Sequence, residues 1–149
     1  MADDSGNGSH AGVILRTARR DELATLEGFP HASHYEHYMD FIRHALGSKE
    51  CLVAEIGGDL AGFVVWDRGF YARPFVWMLG VYERFRGRGA AGALIARVEE
   101  LNARRGLYTS TNESNVPMQR LLEKRGFART GRLEGLDAGD PEIFYFKPV

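Results

Sequence analysis

Apolar positions along the chain recur with two different periods. Val13-Ile14-Leu15-Arg16 is a short apolar run and predicts a first strand. Leu23 and Leu26 supply the apolar face of a short helix, with Thr17 or Asp21 as candidate caps. Tyr35, Tyr38, Met39, Ile42 and Leu46 recur at helical spacing, so 31–46 predicts a second helix that stops at Gly47. Cys51–Ile56 and Leu60–Trp66 are β-rich runs split by Gly57-Gly58-Asp59, a hairpin signature. Pro74–Tyr82 continues the β pattern, so three strands form an antiparallel meander. The period then changes. Gly89–Arg104 predicts a helix with Ala90, Leu94, Val98 and Leu101 on one face. Leu107–Thr111 is a short strand. Val116–Lys124 is a helix with Pro117 in its first turn and Gly126 just past its end. Phe127–Leu133 and Ile143–Phe146 close the chain as strands. The order defines an α+β fold.

Length and composition narrow this without redirecting it. A chain of 149 residues suits one domain with one core, here 12–149 behind a polar, Gly/Ser-rich tail at 1–11 that is expected to be flexible. Hydrophobic residues make up 44% and charged residues 26%, as in ordinary soluble domains. The net charge of −1 gives no global attraction to nucleic acid or an anionic membrane, so any anion site must be local. No apolar run approaches the roughly 20 residues that span a bilayer. The tail lacks the basic and apolar regions of a signal peptide. A cytoplasmic location is the default expectation. The single cysteine, Cys51, fits a reducing compartment and reads as a buried strand residue. His31, His34, His37 and His44 lie close in sequence, but no carboxylate–histidine set with metal-site spacing accompanies them. No metal is expected.

The chemistry concentrates in Arg84-Phe85-Arg86-Gly87-Arg88-Gly89-Ala90-Ala91-Gly92, which follows a strand and opens a helix. Gly87, Gly89, Ala90, Ala91 and Gly92 let a ligand approach the backbone. The helix start offers unpaired N–H groups and partial positive charge, which together suit a phosphate. Arg84, Arg86 and Arg88 add full charge. Gly87–Gly92 matches G-x-G-x-x-G, the dinucleotide pattern, with Glu113 at the ribose-acid spacing. Three observations argue against that ligand. Tyr82–Arg86 separate the strand from the first glycine. The strand belongs to a meander. Only 57 residues follow Gly92, too few for a dinucleotide sheet.

The segment instead resembles the pyrophosphate loop of the GNAT superfamily of acyl-CoA-dependent N-acyltransferases. That loop's Arg/Gln-x-x-Gly-x-Gly/Ala pattern is met by Arg86, Gly89 and Ala91. Leu79-Gly80-Val81 matches the end of the family's fourth strand. Asn115 followed by Leu121-Leu122-Glu123-Lys124-Arg125-Gly126-Phe127 resembles its Asn-to-Gly-Phe segment. The resemblance covers roughly 13–147 and implies a mixed sheet of six to seven strands with about four helices. It implies coenzyme A, as acetyl-CoA, with pantetheine along Leu79, Gly80 and Val81. Pyrophosphate would lie on the backbone from Arg86 through Gly87, Arg88, Gly89, Ala90 and Ala91 to Gly92, and Asn115 would bond the cofactor. Asn115 reads equally as a helix N-cap. The Val81 N–H becomes the natural oxyanion donor.

Three positions depart from the family. Leu122 stands where many members carry a tyrosine acid, and Phe75 and Ser110 stand where branches carry a glutamate. The resemblance therefore names no acid or base. Asp137, Asp140 and Glu142, in the loop expected before the last strand, could attract a cationic amine and supply a base. They could equally form a solvated turn. The resulting expectation is an N-acetyltransferase acting on a small-molecule or peptide amine by direct attack in a ternary complex. The alternative is a CoA-binding regulatory domain without efficient catalysis. Domains of this kind often pair, so a homodimer is compatible with the expectation.

Overall fold

A computed structural model of the chain describes residues 12–30 and 37–149. The expected tail, together with His31, His34 and Tyr35, lies outside the described residues.

Seven strands form one mixed sheet: β1 (Val13–Thr17), β2 (Glu50–Ile56), β3 (Asp59–Phe70), β4 (Arg73–Val81), β5 (Leu107–Asn112), β6 (Ala128–Asp137) and β7 (Asp140–Lys147). Their order is β1-β2-β3-β4-β5-β7-β6. Neighbours are antiparallel except β4 and β5, which are parallel and joined through α3 (Ala90–Leu101). The other helices are α1 (Leu23–Glu27), α2 (Tyr38–Ser48) and α4 (Val116–Lys124).

Period-2 alternation sends successive side chains to opposite faces of the sheet, and each face buries its own core. On one face α3 and α4 cover Val64, Val76, Leu107, Ile143 and Tyr145. The helix α3 contributes Ala90, Ala93, Leu94, Ile95 and Val98, and burying each large apolar side chain stabilises the fold by about 1.5–3 kcal/mol. On the other face α1 and α2 bring Leu26, Ile42, Ala45 and Leu46 against Cys51, Val53, Phe63, Val65 and Met78.

Several expectations are corrected. Leu101 ends α3 but stays exposed, outside the core that its expected face was to join. Neither Thr17 nor Asp21 caps the first helical segment. Glu22 turns back instead, accepting from the Arg19 N–H at 2.7 Å and from the Arg16 guanidinium at 2.7 Å. The last two strands are longer than expected. They form a hairpin closed at Ala138-Gly139, where Gly139 holds φ +72°, so Glu142 lies on β7 and not in a loop.

Candidate active site

The strands β4 and β5 part soon after they meet. Only two residue pairs join them, Phe75–Tyr108 and Val76–Thr109. The Thr109 hydroxyl ties the junction by donating to the Val76 carbonyl at 3.1 Å. Just beyond, the β3–β4 register jumps from Trp66–Val76 to Val65–Met78, leaving Trp77 as a bulge that bends β4 away. The Tyr82 N–H donates to the Ala61 carbonyl at 2.9 Å. Antiparallel alternation then turns Gly80 and Met78 toward β3, and turns the backbone N–H and C=O groups of Leu79 and Val81 toward the opening. Gly80 is required there by space, since a Cβ would lie 2.6 Å from the Phe29 ring and 2.8 Å from that of Phe63.

A cavity of about 880 Å³ occupies this fork, within the usual range for small-molecule sites. Leu79, Gly80, Val81, Arg86, Ala91 and Asn115 line it. Ala90 is buried in the α3 core, and Gly87, Arg88, Gly89 and Gly92 form the surface of the loop at one end. Gly87 and Gly89 hold φ +79° and +86°, a conformation that favours glycine, and a Cβ on either would meet open space. Gly89 caps α3 without a side-chain hydrogen bond, and the helical ladder starts at Ala93 N–H to Gly89 C=O. The N–H groups of Ala90, Ala91 and Gly92 are therefore the helix's own unpaired donors. The three arginines separate in role. Arg84 pairs with Asp59 at 2.7 Å, Arg88 lies over the Phe85 ring, and Arg86 reaches back to the Val81 carbonyl at 3.4 Å. Asn115 caps α4 by accepting from the Met118 N–H at 3.3 Å.

At the far end the three acids also separate. Asp140 accepts from the Ser114 N–H at 2.9 Å and its hydroxyl at 2.6 Å, which pins the turn between β5 and α4. Asp137 accepts from Asn112 at 2.9 Å and lines the cavity. Glu142 lines it too, hydrogen-bonded to Ser110. Burial pushes the Glu142 carboxyl above its ordinary value, the Ser110 bond opposes this, and the charges of Asp137 and Asp140 push it up further. A carboxylate from the adjacent strand thus stands beside Ser110 on β5. Sequence reasoning placed Glu142 in a loop, and only the register Asn112–Glu142 brings it beside Ser110.

Other sequence candidates lie elsewhere. Leu122 is fully buried in the α3/α4 core and does not line the fork. Cys51 is buried, with its thiol pushed up to about 12 by desolvation, as an inert core thiol should be. His37 and His44 are exposed, and among the described residues no group of three His, Cys, Asp or Glu is placed to hold a metal. No helix among them is long and apolar enough to cross a membrane. The aromatic wall of the cavity, with Phe70, Trp77 and Phe144, escaped sequence reasoning because aromatics in strands read as ordinary core.

This geometry has close relatives. The profile of the acetyltransferase (GNAT) family matches residues 15–127, most of the chain, and the chain belongs to that family. An acetyltransferase of Pectobacterium atrosepticum is 37% identical over 76 residues, covering 49% of this chain and 53% of its own. The chain spans about half the length of the curated relatives it matches. Among solved structures, a GNAT-family acetyltransferase from Bacillus cereus superposes with a TM-score of 0.76 at 26% identity, covering 93% of this chain and 98% of that one. A GNAT-family acetyltransferase from Elizabethkingia anophelis, solved with acetyl-CoA bound, shares the fold at 17% identity and a TM-score of 0.70, covering 93% and 99%. The expected family and its mixed-sheet fold are both met.

Proposed function

We propose that this chain is an acetyl-CoA-dependent N-acetyltransferase that moves an acetyl or other short acyl group to a primary amine by direct attack in a ternary complex. The observation that carries the proposal is the fork. It joins the glycine-rich start of α3 on one side of the sheet to Glu142 on the other.

The residues present fit the cosubstrate. The open-faced glycines and the first-turn N–H groups of α3 form a cradle for pyrophosphate, with Arg86 beside it. The edge of Leu79 and Val81 turned away from β3 suits an added strand, here the amide-bearing pantetheine arm. Asn115 borders the same channel, although its side-chain oxygen is already engaged as the α4 cap. Acetyl-CoA would supply the thioester: the amine nitrogen bonds the acyl carbon, the C–S bond breaks, and CoA leaves as a thiolate that takes up, through water, the second proton the nitrogen loses. Glu142 takes the proton from the incoming ammonium, a task its raised pKa suits. Asp137 adds negative charge that draws the cation in. The Val81 N–H, turned into the fork, steadies negative charge developing on the acyl oxygen.

The test is turnover on a panel of amines, following thiol release and amide formation together. One thiol released per amide formed supports the proposal. Tight acetyl-CoA binding without amide from any amine class would instead establish a CoA-binding regulatory domain.

A further inference from the structure

The two ends of the cavity differ in chemistry. Arg86 is the cationic side chain among the lining residues, and it belongs to the end at α3. The other end, on the α1/α2 side of the sheet, is aromatic. The Phe75 ring centroid lies 4.5 Å from that of Trp77 and 4.6 Å from that of Phe70. Phe70 and Phe144 stack at 6.1 Å. The Trp77 ring is fixed in place. Its Nε1–H donates to Asp67 at 2.6 Å, and Asp67 is paired with Lys49 at 2.8 Å. The Lys49 ammonium in turn sits 4.6 Å from the Trp77 ring centroid. Facing this wall are two carboxylates, Glu142 and Asp137, the second already shared with Asn112.

Two carboxylates beside rigid aromatic faces suit an ammonium carried on an apolar body. Aromatic faces attract an ammonium and stack flat rings. A polyamine or an aminosugar would bring further polar groups against a wall whose rings offer their hydroxyls and N–H groups no strong hydrogen-bond acceptor, and would leave the flat ring faces without a stacking partner. We propose that the acceptor is a primary amine carried on a flat aromatic body, its ammonium toward Glu142 and its ring against Phe70, Trp77 and Phe144. The proposal rests on the acetyltransferase reading of this cavity.

The experiment uses the full chain at saturating acetyl-CoA and compares kcat/KM for phenylethylamine and tryptamine with that for putrescine and ethanolamine. The expected preference for the aromatic amines is about 100-fold or more. Phe144→Ser cuts that preference at least ~10-fold, and Phe144→Tyr, which keeps the ring, retains it. Equal or better turnover of putrescine overturns the proposal while leaving the acetyltransferase reading intact, as does an unchanged preference in Phe144→Ser. If none of the four is acetylated, the acetyltransferase reading is judged on the wider amine panel and not on these four. Calorimetric titration of phenylethylamine and putrescine then decides the acceptor class: tighter binding of phenylethylamine upholds the aromatic preference, and equal affinity overturns it.

Discussion

Replacing Glu142 by glutamine keeps the shape of the side chain and its capacity to bond Ser110, but removes the charge and the base. A positioned general base contributes about 10²–10⁴-fold, which corresponds to roughly 2.7–5.4 kcal/mol of barrier at 1.36 kcal/mol per decade. Glu142→Gln is expected to lower kcat by that factor, with a smaller rise in KM from the lost cation attraction. The acid limb of the kcat/KM profile should lie above pH 4.5, because burial and the charges of Asp137 and Asp140 raise the carboxyl above that value. Asp137→Asn removes one of those charges and should move the limb to lower pH. Stability runs the opposite way from activity. Below pH 4.5 Glu142 is protonated in folded and unfolded chains alike. Above its raised folded value it is ionised in both, and the folded chain holds the charge at a cost. Glu142→Gln should therefore gain stability over the parent as pH rises through that window, which separates lost catalysis from lost folding. The assays are steady-state thiol release across pH and urea unfolding on either side of the window. A glutamine variant with full kcat and an unmoved acid limb would refute the assignment.

Three further predictions follow from the same geometry. Gly89→Glu forces a side chain into a left-handed position, which costs about 1–2 kcal/mol, and places negative charge at the start of α3; calorimetry should show CoA binding lost while circular dichroism shows the fold kept. Gly80→Ala drives a methyl into the Phe29 and Phe63 rings and should destabilise the protein by about 1–3 kcal/mol in urea. Hydrogen bonds from Arg16 hold the Glu22 carboxyl down at about 2, so its stability contribution is complete above pH 4.5 and is lost as pH falls toward 2. Glu22→Gln should flatten the acid limb of the stability profile in that range.

The elements with strong periodicity were legible in sequence. The helix α4 and the strand cores of β2, β3 and β4 fall where the pattern puts them. The strand β6 was cut short at Leu133 because all but one of its residues are exposed, and so it shows no apolar alternation. The loop proposed to hold phosphate was legible because glycine, arginine and a helix start coincide in nine consecutive residues. The base was not. Glu142 stands out among the three acids through a cross-strand partner, Ser110, 32 positions away, and through a hairpin that brings Asp137 and Asp140 close to it. The fork was implied by the family resemblance, which laid pantetheine along Leu79, Gly80 and Val81, but not by the apolar pattern, since a one-residue bulge at Trp77 leaves that pattern intact.

The central claim is that the β4–β5 fork carries the acyl donor. A crystal structure of the chain with acetyl-CoA tests it most directly. The account predicts pyrophosphate on the backbone of 87–92, pantetheine along the edge of Leu79 and Val81, and the acetyl oxygen within hydrogen-bond reach of the Val81 N–H on the side facing Glu142. Acetyl-CoA bound with the fork empty, or with its thioester directed away from Glu142, would contradict it.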